Sequence, residues 1–334
     1  GSRVPESVHD AVATSVYGAL SGAFRVSGGA ARALADKGVG APVEASRFGR
    51  QVRAAINGLV GDELRLLGDP QAITMTLRHL GEDVPATSWH VLKAWPKATS
   101  HLVVFLHGLC ESDESWELGR RERPTYAERI VEETTGTPVM VRYNTGLHVS
   151  ENGQHLDELL EQLVGAWPVA VTRITLVGHS MGGLVARAAT NRATVAGHQW
   201  KHLVSDVVCL GTPHAGAALE KAAHLGSRAL RIWPQSRPFS SILESRPAGI
   251  VDLRHGYITA DEWEGQDLTA RWGLDRIAAA PLPGAEYHFV AATVAATQRH
   301  VFSAVMGDLL VHFSSASGIG RRGVVADAEE ASKA

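Results

Sequence analysis

The stretch Ile174-Thr-Leu-Val-Gly-His-Ser-Met-Gly-Gly-Leu-Val-Ala-Arg187 decides how the chain folds. Its first half is apolar and partly β-branched, as a buried strand is. Its second half, from Gly182, is compatible with a helix, and Gly178-His-Ser-Met-Gly182 between the two matches G-x-S-x-G. Glycines on both sides of a serine permit a tight strand-to-helix turn. Such a turn lifts the hydroxyl into the open and aims a helix N-terminus, with its free N–H groups, at the same place. Ser180 is therefore the candidate nucleophile, and the Met181 N–H a candidate donor to a developing oxyanion.

Apolar runs of the same kind recur at 101–106, 138–143, 204–210 and 287–294, with helix-compatible segments at 124–135, 153–166 and 182–195. That alternation predicts an open, mostly parallel sheet with helices on both faces, binding its ligand at the carboxyl ends of the strands. Residues 73–77 alternate and 89–95 reads as another strand, together a hairpin. After the run 101–106 comes His107-Gly-Leu-Cys110. Gly108 lets this loop turn sharply, leaving the Leu109 N–H to point inward as a second oxyanion donor while His107 braces the loop.

Two further regions flank this pattern. Residues 1–66 are rich in Ala and Gly and helical in period: Val8, Val12, Val16, Leu20 and Phe24, then, after a break at 38–42, Phe48, Val52, Ile56, Leu59 and Val60. They predict a helical extension packed on a domain spanning 67–334. Its polar face lacks the Lys/Arg enrichment of a membrane-surface helix, which leaves peripheral membrane contact as the minor reading. The span 215–285, with Trp233, Trp263 and Trp272, is far longer than a crossover needs and predicts a helical cap over the strand ends.

Composition excludes several functions. The 334 residues are 45% hydrophobic and carry a net charge of −3, which makes no electrostatic case for nucleic acid. No uninterrupted apolar run of about 18 residues predicts a membrane span. Cys110 and Cys209 cannot build a disulfide framework and read as small buried hydrophobes. Sixteen histidines occur without H-E-x-x-H or paired-cysteine spacing, so no metal is expected. Gly318-Ile-Gly-Arg-Arg-Gly323 has no room for the helix and acidic ribose ligand of a dinucleotide site, so no organic cofactor is expected either. Glu111-Ser-Asp-Glu114 reads as a solvated acidic loop. The start Gly1-Ser2 reads as an expression scar or a trimmed terminus, which fits the cytoplasm and also a cleaved leader. No pattern sets the oligomeric state.

The blocks Phe105–Leu109 (FLHGL), Leu176–Arg187 and Leu210-Gly-Thr-Pro-His-Ala-Gly216, in this order and spacing, resemble the α/β-hydrolase lipases and esterases. The resemblance is to the branch related to bacterial triacylglycerol lipases and GPI inositol-deacylase-like hydrolases, and it covers about residues 72–318. It implies an α/β-hydrolase fold, an ester or lipid-like small molecule as substrate, an acyl-enzyme, and oxyanion donors at Leu109 and Met181. It also implies a serine–acid–histidine triad whose acid is Asp308, within Val305–Gly318. The histidine that completes such a triad is not where the resemblance expects it. After Asp308 only His312 follows, and 320–334 is a polar, alanine-rich tail. Three readings stand: a truncated or frame-altered chain, a relative that binds without cleaving, or a displaced base, for which His312 and His214 are the candidates. An acyltransferase would use the same nucleophile.

Overall fold

The computed structural model describes residues 46–118, 120, 122–214, 248–263 and 280–290. The apolar runs become one seven-stranded sheet: β1 (Thr76–His79), β2 (Glu82–Val84), β3 (His101–Leu106), β4 (Thr137–Arg142), β5 (Arg173–His179), β6 (Val204–Leu210) and β7 (Glu286–Val290). Their order is β2-β1-β4-β3-β5-β6-β7. Strands β3 to β7 run parallel, and β1 is antiparallel to both β4 and β2.

Strand β3 shows why its residues form a central strand. Leu102, Val104 and Leu106 face the main core, while Val103 and Phe105 face a second cluster with Trp116 and Val177. Burial on both sides demands a continuous apolar run. On the main face, α4 (Val149–Ala166) and α5 (Met181–Ala196) lie so close that a side chain on Gly153 would collide with Ala188. Helix α3 (Tyr126–Thr134) starts in a capping box made by Thr125 and Glu128.

Two expectations are corrected. The hairpin is not made by 73–77 and 89–95 but by β1 and β2, joined through Leu80 and Gly81 at φ 50° and 83°. Positive φ at both central residues gives the turn that matches strand twist. Residues 88–94 form helix α2 (Ser88–Ala94) instead. Of its alternating large residues only Val91 and, just after the helix, Trp95 are buried, four apart, while Trp89 is 71% exposed. The spacing that matters there is helical.

Helix α1 (Arg47–Leu66) packs on the domain through part of the expected stripe, with Val52, Ile56 and Leu59 against the cluster of Ala55 and Ile250. Phe48 is exposed, whereas Ala54, Ala55, Asn57, Gly58 and Gly61 are buried. Small residues let the backbones approach: Gly58 abuts Cys110 and Gly61 abuts Asn144. Asn57 adds two bonds to the neighbouring segment, donating to the Gln71 carbonyl at 2.9 Å and accepting from the Ile73 N–H at 2.8 Å. The stripe from Val8 to Phe24 and the break at 38–42 lie outside the described residues.

Of the span 215–285, the described part includes α6 (Ala248–His255) and a 3-10 turn at Ala260–Glu262; Trp233 and Trp272 lie outside it. Asp252 is fully buried and latches α6 to α4. Its carboxylate accepts the Val149 N–H at 2.7 Å and meets His148 Nδ1 at 3.0 Å, and the His148 ring stacks on Trp263 at 3.7 Å. Among the described residues, no helix is long and apolar enough to cross a membrane. Replacing the buried acceptor in Asp252→Ala leaves the Val149 N–H without its partner. We expect a loss of about 1–3 kcal/mol in urea denaturation and faster amide exchange confined to 248–263. Unchanged exchange in that segment would contradict the latch.

Candidate active site

Ser180 stands where β5 ends and α5 begins, half-buried, with φ 50° and ψ −116°. A non-glycine residue in that region carries of order 1–3 kcal/mol of strain and persists only where the surroundings enforce it. They do so here. A side chain at Gly178 would strike the backbone of Gly182 and Gly183, and one at Gly182 would strike the Leu106 carbonyl at the end of β3. The Ser180 N–H is held by the Leu210 carbonyl at 2.8 Å, tying the turn to β6. As the first residue of α5, Met181 has an N–H with no intrahelical partner, and none is found among the described residues.

The loop after β3 runs beside this turn, because the first turn of α5 packs on the carbonyls of Leu106 and His107. It is a tight turn: the Glu111 N–H donates to the Gly108 carbonyl at 3.2 Å, with Cys110 at φ 59°. The Gly108 N–H goes to Glu111 Oε2 at 2.8 Å and the Cys110 N–H to Thr145 Oγ1 at 3.1 Å. Among the described residues, the Leu109 N–H alone of these four amides has no partner.

His107 is fully buried beneath the loop. Its Nδ1 donates to the Gly108 carbonyl at 3.0 Å and its Nε2 accepts the Tyr143 N–H at 3.3 Å, while the ring stacks on Tyr143. Burial lowers its basicity, so it braces the loop as a neutral imidazole.

The acidic run that follows is not a solvated loop, which corrects the sequence reading. Asp113 and Glu114 are buried and the Glu111 side chain is 8% exposed. Each carboxylate has a distant partner: His179 Nδ1 meets Glu111 at 3.0 Å, Arg78 reaches Asp113 at 3.2 Å, and Arg50 of α1 reaches Glu114 at 2.8 Å. Burial alone would push the Glu111 carboxyl up; the His179 imidazole and the Gly108 N–H outweigh it and hold the group below the ordinary glutamate value. The stability this lends is present above the ordinary carboxylate range and is lost as pH falls through the lowered value.

The remaining candidates separate. His214 lies at the carboxyl end of β6, buried, with Nδ1 accepting from Arg187 at 3.0 Å and the ring edge-on to Phe289. Burial and the Arg187 charge lower its pKa to about 3, a poor proton acceptor. Asp308 and His312 lie outside the described residues. Cys209 is buried as expected and Cys110 is half-buried, and burial pushes each thiol up to about 12. Asp206, Glu286 and His288 bring ligand atoms within 4.8 Å of one another, but Asp206 is already held by Arg173 at 2.7 Å. They stand toward the opposite end of the strands from Ser180. The pairs Glu111–His179 and Asp252–His148, each with a buried carboxylate, were not foreseen, since the partners lie 68 and 104 residues apart.

This sheet order, with a serine at the β5–α5 turn and a loop after β3 beside it, is the α/β-hydrolase fold. The family model described as "Putative serine esterase (DUF676)" matches residues 96–254, just under half of the chain. No curated protein matches. Among solved structures, the chain is similar to Bacillus licheniformis lipase BlEst2 in mature form, at 20% identity and TM-score 0.35, over 50% of this chain and 60% of that one. It is similar to a lipase-esterase related protein from Clostridium acetobutylicum at 14% identity and TM-score 0.31, over 56% and 73%. A thermophilic esterase from Thermogutta terrifontis matches at 16% identity and TM-score 0.27, over 49% and 66%. The chain thus spans about three fifths of the length of the Bacillus lipase.

Glycine adopts φ 50°, ψ −116° without the Cβ conflict of serine. Ser180→Gly should therefore raise stability by about 1 kcal/mol, read as a higher urea midpoint. A lower midpoint would mean that the turn is not strained.

Proposed function

We propose that the chain is a carboxylic-ester hydrolase acting through an acyl-enzyme, with Ser180 as nucleophile. The observation that carries this reading is the enforced strained conformation of Ser180 beside two backbone N–H groups, of Leu109 and Met181, that lack partners among the described residues. Ser180 Oγ attacks the ester carbonyl carbon as a base takes its proton. The carbonyl oxygen becomes an oxyanion and accepts from the two amides; loss of one such donor costs about 10²–10³ in rate. The alcohol leaves with a proton, and water then attacks the acyl-enzyme.

Asp308 is assigned the acid role from the motif around it. For the base, the buried position of His214 under Arg187 favours His312. Leu109 packs with Val52, Ile56 and Ile250 in an apolar cluster next to the loop, which supports an apolar acyl group or lipid-like ester as substrate.

A fluorophosphonate probe tests the reading, because it reacts only with an activated serine. Covalent labelling mapped by mass spectrometry to Ser180, and abolished in Ser180→Ala, is expected. A folded protein that the probe leaves untouched would favour a ligand-binding relative without catalysis. With the probe reacting, release of free acid in water against transfer to an added alcohol separates hydrolase from acyltransferase.

A further inference from the structure

The oxygen Glu111 Oε2 lies between the two halves of the site. On one side it accepts the Gly108 N–H at 2.8 Å, in the loop whose next amide belongs to Leu109. On the other it meets Nδ1 of His179, the residue before Ser180, at 3.0 Å. The junction leaves no room for slack. A side chain on Gly108 would come within 3.0 Å of His179 Nδ1 and 3.1 Å of Glu111 Oε2, and the buried Trp116 backs the His179 ring edge-on at 6.3 Å. The Glu111 side chain is nearly sealed from water while His179 is partly exposed, so the shielded end of each bond is the carboxylate. Glu111 also closes its own turn, its N–H on the Gly108 carbonyl and its carboxylate on the Gly108 N–H. A loop free to pivot about Gly108 would swing the Leu109 N–H away from the reacting oxygen, and a misplacement of about 1 Å can cost about 10²-fold.

We propose that Glu111 is the positioning residue of this site: it ties the loop bearing the Leu109 N–H to the residue preceding Ser180. It touches no reacting atom, and it acts by fixing the distance between donor and nucleophile. The inference rests on the hydrolase reading of Ser180. His179 is thereby a structural partner of the carboxylate, and its place in G-x-S-x-G gains a physical reason. Among the described residues, the groups facing the carboxylate are His179, His107, Cys110, Tyr143 and the Gly108 N–H.

The test measures fluorophosphonate labelling of Ser180 in the full chain, separating the maximal rate from the half-saturating probe concentration. It compares wild type with Glu111→Ala, Glu111→Gln and the exposed control Glu132→Gln. Hydrogen exchange at 107–111 and urea midpoints are followed alongside. Glu111→Ala should lower the maximal rate about 10–100-fold, with less than about threefold change in half-saturation, and should speed exchange at Gly108. Glu111→Gln keeps an oxygen for the Gly108 N–H and should recover part of the rate, while the control labels as wild type does. Folded variants that label at the wild-type rate overturn the proposal, as does a loss confined to half-saturation. If Glu111→Ala fails to fold, Glu111→Gln decides by the same criteria. Absence of labelling in wild type would overturn the hydrolase reading, and this inference with it, before any change at Glu111 is made.

Discussion

The constraint on which the structure depends is the contact of α5's first turn with the end of β3. Gly182 lies against the Leu106 carbonyl and Gly178 against the backbone of Gly182 and Gly183, so the chain has no freedom to relax Ser180 out of its positive φ. The strain is small beside the core that enforces it. Leu102, Val104, Leu106, Ile174, Leu176, Met181, Leu184 and Val185 are fully buried in one cluster around that contact. Rearranging the turn would mean unpacking the centre of the sheet, and close-packed interiors respond to such changes by resisting.

Charge is managed in the same economical space. The loop that would hold an oxyanion sits next to three buried carboxylates, an unfavourable neighbourhood for negative charge unless each is compensated. Each has a partner, His179, Arg78 and Arg50 in turn, although at Glu114 burial still outweighs Arg50 and holds the carboxyl above its ordinary value. The last pairing reaches from α1, and Gly58 of the same helix abuts Cys110, so the helix preceding the sheet holds the loop in place and covers Leu109. A stretch that looks like an acidic surface is the seam between α1 and the sheet.

What could be read in the sequence was local. The run 101–106 coincides with β3 because a strand buried on both faces is a continuous apolar segment, and 204–210 coincides with β6 although its Ser205 and Asp206 are only half-buried. The turn at Ser180 was legible because its glycines are adjacent in sequence to the residue they free. Residues 88–94 were misread because Trp89, Val91 and Trp95 mimic alternation, while burial follows Val91 and Trp95 alone. On α1 the stripe Val52, Ile56 and Leu59 was legible, but the buried positions beside it are Ala54, Ala55, Asn57, Gly58 and Gly61, which carry no hydrophobic period. Glu111, Asp113, Glu114 and Asp252 could not be placed from the sequence, since nothing local distinguishes a solvated carboxylate from one whose partner arrives from another element.

The central claim is geometric, that Ser180 and the N–H groups of Leu109 and Met181 converge on one point. A crystal structure of the chain with a phosphonate bound covalently to Ser180 tests it directly. The account predicts a phosphoryl oxygen within about 2.7–3.1 Å of both amide nitrogens. An oxygen turned to solvent, with the two amides engaged elsewhere, would contradict it.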